Sequence, residues 1–520
     1  MPRTTHATRT PSRRPGPRAT SALALAAVTL LAAGSASAEL FNLVGARYQG
    51  MGGAGVAVAE DSLAIYWNPG AMPFQDSWGV NFGVGGNASV EGNVIELLDE
   101  TINDWDALGS TLDDVQAGNS LTSGQVQDLI DFAVNGLPAL DTRGSGIAVS
   151  ADAELMGRFR GWGLSAMSLA NAGVQPVVDD LNLGLSVGAN AVDNVVGSGM
   201  DRSGQFSNDP SSQSLADAIA ASTTYWTQDQ AEELVWQSEQ AGVNTSKQRS
   251  RDMLTSMAET TGAGIGNPGI NLDANDSGVF TRGIITNEFA LTYGHAFFDK
   301  KLGFGGNIKY IYGVTFNSFL RYDDYDNVGD ALDDLFDDGN SKRSSNFGLD
   351  LGLKYKATDW LDLGLVARNV NAPSFDAARD PNVPLANQNF ILEPQVRAGL
   401  ALYPLKRWIL ALDIDVLENN STNIIGLEQR MISFGTEYRI PIGGSFDLAL
   451  RTGLWTNLSH RPSDSLAWTG GLGIRWGGFH LDAAVGSALS STDIETDVGT
   501  TKSFPNRLNA ALQLQWVHHF

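Results

Sequence analysis

The chain ends in RLNAALQLQWVHHF, residues 507–520. Counted back from the terminus, every second side chain suits lipid: Phe520, Trp516, Leu514, Leu512, Ala510 and Leu508, with His518 the exception. The other face carries Asn509, Gln513 and Gln515, with Ala511 and Val517 between them. A period of two belongs to a strand, because successive side chains point to opposite faces. A terminal strand that is apolar on one face, polar on the other and closed by an aromatic residue suits the last strand of an outer-membrane barrel. Alone, the same stretch would also serve as the last strand of a soluble sandwich. Recurrence separates the two.

The pattern recurs. Trp78, Val80, Phe82 and Val84 alternate with small or polar residues, and two more strands are expected near 145–158 and 161–172. From Ile284 onward the alternation is regular. Ile308, Tyr310, Tyr312 and Val314 oppose Asn307, Lys309, Gly313 and Thr315. Later strands place Asp350, Lys354, Asp362, Arg368, Arg397, Asp413, Asp415, Glu437, Arg439, Asp447, Arg451, Arg475, His480 and Asp482 on the inner face. Connections alternate between short turns (such as 158–161, 299–301, 404–407 and 477–478) and long loops, as periplasmic turns and external loops do. Leu181 to Ala191 also looks strand-like, but the alternation keeps phase only if that segment lies in an external loop. Leaving it out predicts fourteen antiparallel strands, an even count as a single-chain bacterial barrel requires. The expected fold is therefore all-β, a transmembrane barrel over 77–520. Helical extracellular insertions are expected at about 91–142 and 173–283, where apolar residues recur at helical spacing.

Composition agrees with export. Arg3, Arg9, Arg13, Arg14 and Arg18 precede an apolar run, Ala22 to Ala33, and Ala36-Ser37-Ala38 is an A-x-A cleavage site. Residues 1–38 thus read as a secretory signal. Its apolar run is too short to span a bilayer, and no later stretch reaches eighteen consecutive apolar residues, so only a barrel would make the exported chain integral. With 58 acidic against 34 basic residues, the chain lacks the basic face that a nucleic-acid binder needs. The absence of cysteine removes disulfides, thiol nucleophiles and thiolate metal sites.

Residues 39–76 do not alternate. They contain Gly50-Met51-Gly52-Gly53-Ala54-Gly55-Val56-Ala57 and Tyr66-Trp67-Asn68-Pro69-Gly70. The spacing of Gly50, Gly52 and Gly55 fits a dinucleotide fingerprint, but no strand precedes it and no βαβ unit follows. Small residues at this density instead let a backbone press closely on something else. These two stretches, the acidic pair Glu60-Asp61 and Ala367-Arg368-Asn369-Val370-Asn371-Ala372-Pro373-Ser374-Phe375 resemble the FadL-like outer-membrane barrels, and most closely the barrel-type conjugal transfer proteins TraF. The resemblance implies that 39–76 is a hatch inside the lumen, with Gly50, Gly52, Gly53, Gly55, Asn68, Pro69 and Gly70 at the gate. It further implies passive uptake of fatty-acid-like hydrophobic molecules past the hatch and sideways into the membrane. Gly70 stands where the family usually has alanine, and the very large insertions depart from its pattern, so ligand identity does not carry over.

The inner-face charges mix acid and base over many strands, which suits ion pairs gripping a hatch better than a catalytic pair. No serine-nucleophile motif, H-E-x-x-H or paired-histidine set occurs, so no enzyme, cofactor or metal is expected. An acidic loop at 323–338 fails the EF-hand register at Val328. It reads as a solvated loop, or as a loose site for a divalent cation or a cation bridge to lipopolysaccharide. The apolar insertion faces (Leu97, Leu98 and Ile102; Leu234, Val235 and Trp236) suit an external greasy site or a self-packed cap equally. Two functions follow: a channel for hydrophobic small molecules, or a non-transporting interaction protein of a conjugal transfer or envelope assembly. The expected partners are membrane lipid and lipopolysaccharide, a hydrophobic ligand or envelope proteins, and no nucleic acid.

Overall fold

A computed structural model of the chain describes residues 41–91, 94–140, 146–179, 181–222, 224–266, 271–272, 275–321, 341–377, 388–418, 429–459, 466–496 and 500–520. The expected signal segment 1–38 and the acidic loop 323–338 lie outside them.

The strands are β1 (Ser77–Glu91), β2 (Gly146–Phe159), β3 (Trp162–Val177), β4 (Gly278–Phe297), β5 (Leu302–Arg321), β6 (Ser341–Thr358), β7 (Leu361–Arg368), β8 (Ser374–Phe375), β9 (Phe390–Ile391), β10 (Gln395–Leu405), β11 (Trp408–Asp415), β12 (Met431–Gly443), β13 (Phe446–Asn457), β14 (Ala467–Trp476), β15 (Phe479–Ala488), β16 (Ser491–Thr496), β17 (Thr500–Pro505) and β18 (Arg507–His519). Fourteen of them close a barrel in which β18 pairs with both β15 and β1, so that Ser77 lies across from His519. The other four form two small hairpins, β8–β9 and β16–β17. Closure leaves no sheet edge to satisfy.

Which face meets what is visible on β18. Leu508, Leu512, Leu514 and Trp516 are 40–53% exposed, whereas Asn509, Gln513 and Gln515 are at most 6% exposed. The apolar residues look outward and the polar ones fill the interior. That inversion of a soluble protein is what a bilayer demands of a spanning sheet. Trp162, Tyr293, Trp360, Trp408, Trp476 and Phe520 ring the end that carries the short turns, where aromatic side chains sit at a membrane–water boundary. Among the described residues no helix is long and apolar enough to cross a membrane, which leaves the crossing to the strands. The chain is an integral outer-membrane barrel.

Strands β4 and β5 run for 20 residues each, well beyond the roughly 9–11 that cross a bilayer. The first insertion joins β1 to β2, and the second joins β3 to the long strand β4. Both insertions supply one shared core, with Leu112, Val126, Leu129 and Leu137 from the first and Leu183, Leu215, Leu234, Val235 and Leu254 from the second. Helices Ser123–Asp131 and Gln228–Gln240 each start on a capping box, Thr122 with Gln125 and Thr227 with Gln230. At Leu234 and Val235 the self-packed reading holds, since both are fully buried inside a shared core with Trp236 packed partly against it, whereas the side chains of Leu97, Leu98 and Ile102 lie outside the described residues. Leu183 and Leu185 join the same core, which keeps the strand-like segment 181–191 out of the wall.

One of the long connections expected outside, that at 371–390, behaves differently. Its described ends, 374–377 and 388–392, turn into the barrel, where Phe375, Phe390 and Leu392 pack on Ile284 and Ile311 of the wall. Arg282 lies 4.1 Å over the Phe390 ring and donates 2.6 Å to the Gln388 carbonyl. Alternation placed this loop outside because its length matched the external class. An aromatic pair at its two ends draws it inward instead, where burying each ring gains hydrophobic free energy.

Candidate functional site

The lumen is filled by the chain's own residues 41–75. Two single-turn helices, Ala46–Gln49 and Ala64–Trp67, and a 3₁₀ segment, Pro69–Phe74, wrap an aromatic centre of Phe41, Tyr48, Tyr66 and Trp67 with ring centroids 5.1–5.8 Å apart. The Trp67 indole donates to the Val44 carbonyl at 2.9 Å, and the Tyr66 hydroxyl donates to the Asn42 carbonyl at 2.8 Å. The plug thus has a small core of its own.

Its contact with the wall is made by glycine on both sides. Gly50 lies against Gly471 and Gly52 against Gly453. Met51 crosses Gly435, Val56 crosses Gly364 and Gly399, and Pro69 and Gly70 cross Gly303, Gly305 and Gly352. Several wall glycines are cross-strand partners: Gly305 with Gly352, Gly364 with Gly399, and Gly435 with Gly453. A Cβ at Gly70 would stand 2.6 Å from the Gly352 carbonyl oxygen, closer than atoms tolerate. Gly52 and Gly53 also take left-handed backbone (φ +66° and +84°), which other residues adopt at a cost. Asn68 closes the set. Its side-chain amide donates to the Val56 carbonyl at 2.9 Å and the Leu353 carbonyl at 3.0 Å, and its oxygen accepts from the Gly70 amide at 3.0 Å.

Charged wall residues hold this plug. Glu437 is completely buried and accepts from Arg47 of the plug at 2.8 Å, from Arg451 at 2.7 Å and from Arg439 at 2.7 Å. Arg451 passes on to Asp482 at 2.6 Å. Lys354 bridges Glu60 of the plug at 2.9 Å and Asp362 at 3.2 Å. One oxygen of Asp413 accepts from the Gly55 and Val56 amides at 2.8 and 2.9 Å. Arg368 and Arg397 lie 3.8 Å over Tyr66 and 4.0 Å over Phe41, and Arg397 also pairs with Asp415 at 2.6 Å. Lys309 sits between Glu288 at 3.2 Å and Asp350 at 3.1 Å. Buried charges of this kind persist only when paired.

The twelve inner-face charges expected at Lys309, Asp350, Lys354, Asp362, Arg368, Arg397, Asp413, Asp415, Glu437, Arg451, Arg475 and Asp482 therefore divide. Most grip the plug directly or support a residue that does. Arg475 is apart from them and makes no hydrogen bond or ion pair among the described residues. Sequence reading missed Arg158 and Glu288, and placed Asn307 on the inner face without giving it a role. Arg158 donates to the carbonyls of Glu60, Met72, Gln75 and Arg160, and Asn307 donates 2.8 Å to the Ile65 carbonyl. Arg158 and Glu288 also alternate with outward residues, so the signal was present. Arg47 was missed for another reason: it lies in the non-alternating segment, where no periodicity marks its direction.

In the plug, burial alone would raise the Glu60 carboxyl. The Lys354 and Lys356 ammonium groups outweigh that and hold it at about 2, against an ordinary 4.5. Glu60 therefore stays ionised across the physiological range. Among the described residues, no group of three or more His, Asp or Glu side chains is arranged to hold a metal ion. What this arrangement can do chemically is hold a segment of chain in a pore by reversible contacts.

The fold and its filled lumen define a plugged outer-membrane β-barrel. The chain belongs to the family described as F plasmid transfer operon, TraF, protein, whose sequence model matches residues 65–415. That span contains Tyr66–Gly70 and Ala367–Phe375, two of the stretches that carried the resemblance. Among solved structures, the chain is similar to the Pseudomonas putida toluene transporter TodX at 12% identity and a TM-score of 0.41, covering 92% of this chain and 99% of that one. Similarity to the Ralstonia pickettii toluene transporter TbuX is also 12% at a TM-score of 0.41, covering 92% and 100%. A Pseudomonas aeruginosa FadL homologue follows at 11% and 0.39, covering 91% and 98%. No curated protein matches the chain.

Proposed function

We propose that the protein is a passive outer-membrane channel for hydrophobic small molecules, with residues 39–76 as its hatch. One observation carries this reading: the lumen is closed by a segment whose wall contacts are all non-covalent and side-by-side, so it can shift without unfolding the barrel. An apolar seam supports the choice of cargo. Phe41, Tyr66 and Trp67 of the plug meet Met156, Met167, Leu169 and Val366 of the wall within an otherwise charged lumen. Each barrel strand is hydrogen-bonded to both neighbours. That favours passage along the axis past the hatch over a sideways exit, which would have to part a ladder.

Ala46 of the hatch packs on Ala484 and Ala511 of the wall, in a chain without cysteine. A double variant, Ala46→Cys with Ala484→Cys, offers a reversible lock. Uptake of a labelled long-chain fatty acid by cells carrying the oxidised variant should fall several-fold and recover on reduction. Uptake that is indifferent to the lock refutes the hatch reading. The family match favours a second reading, a non-transporting component of a conjugal transfer assembly. On that reading, deletion of 178–277 abolishes a protein contact while no hydrophobic probe enters.

A further inference from the structure

The end of the barrel that bears the short turns holds a cavity of about 290 Å³ beneath the plug. Six cationic side chains line it against only two carboxylates, Glu60 and Asp61. Those two are already engaged: Glu60 with Lys354, and Asp61 with Arg47 and the Tyr48 hydroxyl. Arg47 and Arg158 are likewise committed to the plug and wall. The remaining cations are Lys406 and Arg407 on the exposed β10–β11 turn, Arg439, and Arg475. Arg439 uses its Nε on Glu437, an oxygen pair already shared with Arg47 and Arg451.

Arg475 is the informative member. Its Nε is buried, yet among the described residues it has no hydrogen-bond partner. Asp447 stands opposite it in register on β13, but the two form no ion pair, and Asp447 does not line the cavity. The side chain as a whole is half-buried, but a guanidinium Nε that is buried without a partner is costly, because that donor has lost water and gained nothing. Guanidinium presents a planar fork that matches an oxyanion in bidentate fashion. Val58, Ile409 and Val517 add an apolar wall beside this charge.

We propose that this cavity is a binding site for a small oxyanion, a carboxylate or a phosphate, entering from the periplasmic side. Arg475 provides the fork, with Arg439, Lys406 and Arg407 around it. The site does not depend on transport: it would bind its anion whether or not the hatch ever opens.

The test is calorimetric titration of the full-length protein in detergent with inorganic phosphate and, separately, with decanoate. Folding of each variant is checked by heat-modifiable migration. The expected result is saturable binding of at least one probe, weakened roughly tenfold or more in Arg475→Gln and less in Arg407→Gln. Phosphate binding alone identifies a free or esterified phosphate as the source, and decanoate binding alone identifies an amphipathic carboxylate. If neither probe binds saturably, the proposal is overturned. It is equally overturned if the folded Arg475→Gln and Arg407→Gln variants bind as the parent does. Arg407, exposed on a turn, keeps the test decisive should Arg475→Gln fail to fold.

Discussion

At the scale of single residues, the lumen works by two devices, missing side chains and shared charges. Where plug and wall backbones touch, glycine stands on one side or both, because any Cβ would occupy the partner's space. Gly352→Leu should therefore displace the Asn68–Gly70 turn rather than disturb the lipid face, at a cost of about 1–3 kcal/mol. Increased entry of a bulky antibiotic into cells, with barrel migration on gels unchanged, would register this. The shared charge is Glu437. Its replacement by Gln leaves the buried guanidinium groups of Arg47 and Arg451 with a neutral partner, a loss of about 3–5 kcal/mol when a buried pair is broken. The urea midpoint should fall accordingly, and a midpoint equal to the parent's would contradict the assignment. Glu60 sets the response to acid. Its folded value of about 2 lies below the ordinary 4.5, so its pairing contributes fully above pH 4.5 and is lost as pH falls toward 2. The difference in thermal transition between parent and Glu60→Gln should stay constant from pH 8 to 5 and vanish only near pH 2. Disappearance of that difference between pH 7 and 5 would sink the pairing.

At the scale of elements, the lumen is closed twice, by the plug near the turn end and by the inward-packed residues 374–377 and 388–392 above it. These closures are held differently. The plug depends on ion pairs and backbone hydrogen bonds, whereas the upper segment depends on Phe375 and Phe390 in a small apolar core. Phe390→Ala should cost about 3–5 kcal/mol of local stability and open the upper closure alone. In planar bilayers, conductance should rise little in that variant and little in a plug deletion, but strongly when both are combined. The wall charges, Lys309 to Asp482, were legible from alternation because each faces a lipid-suited neighbour. The residues of the plug that meet them, Arg47 and Glu60 above all, were not legible in that way, since nothing periodic fixes their direction.

At the scale of the whole molecule, an apolar belt outside and a charged interior make the protein stable only in a bilayer or detergent. Folded material should fractionate with outer membranes and migrate faster before heating than after it, as closed barrels do. Recovery as a soluble periplasmic chain would overturn the spanning assignment. The cap is a separate case. Its core comes from two insertions separated in sequence by the β2–β3 hairpin, so neither half can bury its apolar face alone. Truncating either insertion should expose the other and reduce yield without unfolding the wall.

The strand count, the wall's inner and outer faces and the exclusion of 181–191 were determined by sequence alone. Each follows from a local rule: a two-residue period under one-sided burial, and connections that must return to the same side. Tertiary structure alone decided that the insertions share a core, that Phe375 and Phe390 turn inward and that the buried Nε of Arg475 stands unpartnered beside a cavity. Those outcomes depend on which distant side chains compete for the same partner or the same apolar space. No period along the chain records that competition, because the competing residues are set side by side only when the barrel closes.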